Sequence, residues 1–266
     1  MAFGPSLAPT LPLFRLTPSS QACPIMPSFG LFILLGLSLT GCESEDPSAD
    51  FILQKSLEAH GGRERWKKIK CIRYRKTTIF YDPTGVIEKK NVQQITHQWR
   101  PNKTEMIWEN EGKPYRALKD PTGISLYKEG ILQKDSFLLA QANTNLKAAL
   151  YVYWQPFNLL ENKAQRNYLG IQKILDSISV HAVQIRYSEE KNADVWTYFF
   201  DTQNYRLCAA QVLHNKRISL IVNEAVESET GLFLNHKRKS YFLDSIGKIK
   251  YLRAAYSYEI DSFTTD

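Results

Sequence analysis

The sequence lacks the motifs that would assign it to a catalytic or nucleic-acid-binding class. Its five histidines form no His-x-x-Glu-His or His-x-His pair, so no local metal site is predicted. It has no glycine-rich phosphate loop, and Ser125 lacks the second flanking glycine of a nucleophile elbow. The 34 basic and 27 acidic residues are scattered, without the long basic run that favours nucleic acid. We therefore expect a protein that is not an enzyme, carries no cofactor or metal and binds no nucleic acid.

A long apolar run is also missing. The most apolar stretch, residues 29–39, would span about 16 Å as a helix, against roughly 30 Å for the hydrocarbon core of a bilayer. Its length is typical of the hydrophobic segment of a secretory signal peptide. Leu39-Thr40-Gly41-Cys42 follows directly. This tetrapeptide resembles the bacterial lipobox, in which small residues precede a lipid-bearing cysteine.

The lipobox predicts how the chain is divided. Residues 1–42 are interpreted as a lipoprotein signal peptide, with Cys42 as the lipidation site that carries acyl chains such as palmitate. Residues 43–48 form a polar, acidic tether, and residues 49–266 are expected to form a single domain. No cation lies close before the apolar stretch, so a true start at the first residue or at Met26 is left open. The lipid anchor makes the membrane a partner and implies an outer-membrane lipoprotein of the cell envelope, facing the periplasm or the cell surface.

Cysteine is scarce, with four in the chain. Once the signal peptide is removed and Cys42 is lipidated, Cys71 and Cys208 remain, both in predicted strands. An oxidising envelope would allow a disulfide between them. Nothing in the sequence places the two strands side by side, so two separate buried thiols are favoured.

The first predicted element of the mature chain is a helix over residues 49–60. Ser48 can cap its start, since its side-chain oxygen can accept from a free N–H group of the first turn. Gly61 and Gly62 end it, because glycine adopts the left-handed conformation at low cost. His60 is interpreted as a cation that the helix dipole favours at this end.

Beyond that helix, apolar and polar residues alternate with a period of two, and aromatic residues are plentiful, which favours strands. Helices at about 134–141 and 144–154, which carry an apolar stripe, interrupt this pattern. Short turns join about ten or eleven strands, which favours antiparallel pairing. The predicted fold is mainly β (α+β): a long antiparallel curved sheet or half barrel, with an N-terminal helix and a helical insertion over its open face.

This architecture resembles that of the LolA/LolB-like lipoproteins. The leading helix with Ala59-His60-Gly61-Gly62 and Trp66 is similar to the start of uncharacterised Bacteroidota-type envelope lipoproteins, and the resemblance covers roughly residues 50–261. It implies a sheet that curls into a half barrel, helices that cover its mouth and an apolar concave face that holds acyl chains. LolA itself has no lipid anchor, so the lipobox favours the LolB-like or other anchored members.

The leading hypothesis is therefore a membrane-anchored envelope lipoprotein that binds a lipid or other apolar ligand in the concave face of its sheet. Burial of an acyl chain alone would drive binding, so weak selectivity among head groups is expected. The alternatives are an interaction or scaffold lipoprotein with a filled core and, third, an enzyme with a dispersed site; protein partners are not indicated. The expected ligand-binding residues are Trp108, Leu146, Leu150, Tyr153, Val183, Ile185, Ile218, Leu220, Tyr256 and Tyr258.

Overall fold

The computed structural model describes residues 47–160, 164–175, 177–188 and 193–266. All of them belong to one compact unit, Glu45–Asp266. The signal peptide, Cys42 and most of the tether lie outside the described residues and stay predictions. Within the described part, no helix is both long and apolar enough to cross a membrane.

The described unit contains three α-helices and thirteen strands. The helices are α1 (Ala49–Ala59), α2 (Arg63–Lys67) and α3 (Ser136–Tyr153). The strands are β1 (Ile69–Tyr81), β2 (Ile87–Gln98), β3 (Lys103–Asn110), β4 (Lys113–Asp120), β5 (Gly123–Lys128), β6 (Ile131–Leu132), β7 (Gln165–Ile174), β8 (Ile178–Arg186), β9 (Val195–Asp201), β10 (Leu207–His214), β11 (Arg217–Val226), β12 (Asn235–Leu243) and β13 (Ile249–Thr265).

All thirteen strands form one open antiparallel sheet in the order β6-β5-β4-β3-β2-β1-β13-β12-β11-β10-β9-β8-β7. The chain meanders outward from β1 to β6, returns through α3 to the opposite edge at β7, and meanders back to β13. The two meanders meet where β13 pairs with β1. This arrangement confirms the predicted mainly β curved sheet. It also makes α3 the connection between the two edges.

The structure corrects two details of the predicted elements. The helices expected at 134–141 and 144–154 are one continuous helix, α3, whose start is capped by Asp135 through hydrogen bonds from the N–H groups of Phe137 and Leu138. The strand count is higher because the sequence pattern missed β6 and β7. In β7, Leu169 and Ile171 are exposed, so this edge strand lacks a clear apolar face.

The first helix begins and ends as predicted. The Ser48 hydroxyl accepts a hydrogen bond from the N–H of Phe51 at 3.1 Å, and the chain leaves the helix at Gly61 with φ of +95°. The interpretation of His60 as a cation is wrong. The residue is 2% exposed, its Nδ1 lies 2.9 Å from the carbonyl oxygen of Ser56, and burial lowers its pKa to about 4. His60 is therefore a neutral core residue near pH 7.

Helices α1 and α3 pack on the same face of the sheet, here called the inner face. Ile52 and Leu53 of α1 are buried against β8–β10, and Leu146 and Tyr153 of α3 are buried against β1–β3. The opposite, outer face carries its own small apolar cluster, which includes Phe199. Cys71 and Cys208 are separate free thiols, as expected, but both are only partly buried.

Candidate functional site

Helix α3 is held against the inner face mainly through its C-terminal half. Tyr153 is fully buried, and its ring stacks on Tyr74 at 4.0 Å and on Tyr258 at 5.1 Å between centroids. The carbonyl oxygen of Val152 accepts hydrogen bonds from Asn235 Nδ2 and Arg238 Nη1, both at 3.3 Å. These contacts fix one end of the helix and fill the sheet interior beneath it.

Beside this packed region, a cavity of about 450 Å³ lies between α3 and the strands where the two meanders meet. We call it the α3 cavity. Its volume falls within the roughly 300–1,000 Å³ that is typical of small-molecule sites. Its apolar wall consists of Phe80, Trp196, Val212 and Ile221 from the sheet and Ala148, Ala149 and Val152 from α3. Its polar part consists of Lys76, Thr78, Asn91, Gln93, Asn145, Ser219, Arg238, Ser240, Tyr256 and Tyr258.

Two further cavities lie along α3. One, of about 370 Å³, lies between the first half of the helix and β2–β5, and it shares Asn91, Gln93 and Asn145 with the α3 cavity. The other, of about 320 Å³, lies beside Trp154 at the C-terminal end of the helix. The shared residues make the first of these a neighbour into which a longer ligand could extend.

The structure places five of the expected ligand-binding residues along these cavities. Tyr256 and Tyr258 line the α3 cavity. Trp108, stacked on a neighbouring tyrosine at 5.3 Å, lines the 370 Å³ cavity. Leu146 and Leu150 line the 320 Å³ cavity. The expected set is thus spread over three cavities instead of one.

Three other expected residues face inward but line no cavity described here. Tyr153 belongs to the packed aromatic stack under α3. Val183 and Ile185 are fully buried in the cluster beneath α1. Their inward direction agrees with the period-two pattern, and their environment is that of core residues.

The expected orientation of Ile218 and Leu220 is wrong. Both pack with the apolar cluster on the outer face. In the register of β11, Ser219 and Ile221 point to the inner face and line the α3 cavity. The sequence pattern identified an apolar face of β11, but that face covers the outer cluster, which includes Phe199.

Sequence reasoning missed the two cationic residues of the α3 cavity. Lys76 lies two residues after Tyr74, which is fully buried, so its position in β1 predicts an inward direction. Arg238 lies two residues before Ser240 on the inward side of β12. The alternation of strand residues could have identified both, but the expected site residues were chosen among apolar and aromatic side chains.

Burial dominates the electrostatics of the α3 cavity. The pKa of Lys76 is lowered to about 8, mainly by desolvation and secondly by the nearby charge of Arg238. Burial raises the pKa of Tyr258 to about 12, so its hydroxyl stays protonated near pH 7. Arg238 is only 2% exposed. The cavity therefore presents positive charge and neutral hydroxyls beside an apolar wall.

The polar and apolar parts of the α3 cavity could hold different parts of one bound molecule. Among the described residues, no group of three or more potential metal ligands lies together. The lining of the α3 cavity contains no serine–histidine or cysteine–histidine pair. Its polar groups can form hydrogen bonds that orient a bound molecule, and its apolar wall can bury a chain.

Comparison with known proteins places the fold. No family model matches the chain, and no curated protein matches it. A LolA superfamily protein from Nitrosomonas europaea superposes with a TM-score of 0.50 at 8% identity, over 83% of this chain and 94% of that one. A DUF1329 family protein from Desulfovibrio piger gives 0.45 at 6% identity, over 82% and 93%. The lipoprotein LppX from Mycobacterium tuberculosis gives 0.27 at 12%, over 81% and 96%. The first match shows that the chain shares the LolA-like fold.

Proposed function

We propose that this chain is an envelope lipoprotein, anchored through a lipid on Cys42, that binds a lipid or other apolar ligand in the α3 cavity. The observation that carries this proposal is the cavity of about 450 Å³ between α3 and the sheet. The fold shared with a LolA superfamily protein supports it. The lipobox supports the anchor, and attachment to the outer membrane is part of the proposal.

Physical chemistry makes an apolar chain a suitable occupant. Trp196, Val212 and Ile221 of neighbouring strands, together with Phe80 of β1, give the cavity apolar lining opposite the alanines of α3. Burying a chain there gains about 0.8 kcal/mol for each CH₂ group. A chain of modest length would therefore bind without any polar recognition.

A cavity-filling variant tests the proposal. Ala148 is exposed on α3 yet lines the cavity, so Ala148→Trp should fill the cavity without disturbing the core. Ala140→Trp is the matched control, because Ala140 is an exposed alanine of the same helix that lines none of these cavities. We expect saturable binding of a fluorescent fatty acid by the wild type and the control, and at least tenfold weaker binding by Ala148→Trp.

The packed stack of Tyr74, Tyr153 and Tyr258 favours a second candidate, a scaffold lipoprotein whose sheet interior is mostly filled. The same experiment separates the two. No saturable binding by the wild type would favour the scaffold. Equal binding by the wild type and Ala148→Trp would place the ligand outside the α3 cavity.

A further inference from the structure

Two cationic side chains enter the α3 cavity from strands that flank β13. Lys76 of β1 pairs with Tyr258 of β13, and Arg238 of β12 pairs with Tyr256, two residues earlier in β13. Paired residues point to the same face, so all four side chains lie on the inner face. The backbones of β1 and β12 are about 10 Å apart, two strand spacings. Long side chains from both strands can therefore converge on one bound group.

These cations have no acidic partner among the described residues. The lining of the cavity contains no aspartate or glutamate. The ammonium group of Lys76 makes no ion pair or hydrogen bond within the described ranges, and it lies over the ring of Tyr256, 5.8 Å from the centroid. Its charge is therefore offset only by a weak interaction with an aromatic ring.

Arg238 is satisfied only in part. Nη1 donates to the carbonyl oxygen of Val152, and Nη2 lies 3.5 Å from the side-chain oxygen of Gln155. Its Nε is buried and has no hydrogen-bond partner among the described residues. Buried charges in proteins are normally paired, because desolvation of an isolated charge is unfavourable. Two cations in one cavity without a carboxylate thus leave a place for an anion.

We propose that Lys76 and Arg238 bind the anionic head group of an amphiphile whose chain lies against the apolar wall of the α3 cavity. This inference rests on the proposed function and specifies its ligand: a molecule with one anionic oxygen group and one apolar chain. It replaces the expectation of weak selectivity among head groups. The charge pair selects the head, and the wall formed by Phe80, Trp196 and Ile221 binds the chain.

A matched pair of probes tests the charge requirement. The full chain, purified in a non-ionic detergent, is titrated with a fluorescent polyene fatty acid and with its methyl ester. The partition of a probe into micelles does not depend on which variant is present. A difference between variants in the acid-to-ester affinity ratio therefore reflects binding to the protein. We expect the wild type to bind the acid at least tenfold more tightly than the ester.

Two variants locate the effect. Lys76→Met removes a charge that makes no hydrogen bond, so the fold is retained, and it should reduce the acid-to-ester ratio at least threefold. Arg238→Met should reduce it further, with α3 packing checked by circular dichroism. Lys237 is exposed next to Arg238 on the outer side of β12. Lys237→Met should therefore leave the ratio unchanged.

The outcomes separate this inference from the proposed function. Equal binding of acid and ester by the wild type would overturn the charge pair and leave the apolar cavity standing. Binding of neither probe would overturn both. Excess acetate and inorganic phosphate serve as competitors without a chain: displacement of the fatty acid by these free anions would show a small-anion site and contradict an amphiphile. An alkyl phosphate that competes as well as a fatty acid would support the shared anionic chemistry.

Discussion

Lys76 should lower the stability of the ligand-free protein. Its pKa falls from 10.5 in the unfolded chain to about 8 in the folded one, mainly through desolvation. A shift of this size corresponds to about 3 kcal/mol if the side chain is fully shielded. Lys76 is only half-buried, so screening by solvent reduces the effect to about 1–2 kcal/mol. Lys76→Met, which keeps the apolar stem and removes the charge, should therefore raise the free energy of unfolding at pH 7 by that amount.

The pH dependence identifies the cause of this gain. Between pH 8 and 10.5 the unfolded chain holds the proton of Lys76 while the folded chain releases it, so the stability of the wild type rises with pH in that window. The advantage of Lys76→Met should accordingly be largest below pH 8 and shrink towards pH 10.5. Urea denaturation at pH 7, 8.5 and 10 measures it, with Lys237→Met expected to stay within about 0.5 kcal/mol of the wild type. A variant that is less stable than the wild type at pH 7, or a gain that does not change with pH, would refute the reasoning.

Three other changes should have measurable effects. Gly61→Ala should be about 2 kcal/mol less stable than Gly85→Ala. Both glycines have φ near +90°, but only a Cβ at Gly61 would lie 2.0 Å from a backbone oxygen. Thermal melts that rank the two variants equally would contradict this. Burial lowers the pKa of His60 and of His97 to about 4, so stability is complete above pH 6.5 and is lost as the pH falls towards 4, by up to about 3 kcal/mol for each ring. Acid titration of the urea midpoint should show this loss, and a double glutamine variant should flatten it. Cys42→Ala should abolish acyl labelling and membrane retention, and unchanged labelling would argue against the lipobox.

Local signals predicted the elements of this fold well. The cap of α1 by Ser48 and its end at Gly61 depend on residues a few positions apart, so the sequence contains all the information needed. Most strands were found because their alternation is also local. β7 escaped because an exposed edge strand has no buried face to impose alternation, as the exposure of Ile171 illustrates.

The face of each strand and the composition of the site could not be read in the same way. Whether Leu220 or Ile221 points inward depends on the pairing of β11 with β10 and β12, which is a long-range property. A second apolar cluster on the outer face made the more apolar side of β11 a misleading guide. Lys76 was not among the expected site residues, although its alternation with Tyr74 in β1 places it on the inner face.

The position of the cations follows from the topology of the sheet. The two meanders meet at β1 and β13, so Lys76 and Arg238 approach the same cavity from strands that are distant in sequence. On one side of this junction, Tyr74 and Tyr153 form the packed stack that fixes α3. On the other side the wall around Trp196 leaves space. Arg238 belongs to both regions, because it donates to a backbone oxygen of α3 and also lines the cavity. Because Nε of Arg238 has no hydrogen-bond partner among the described residues while Nη1 donates to Val152, an anion can bind at Arg238 without releasing this helix contact.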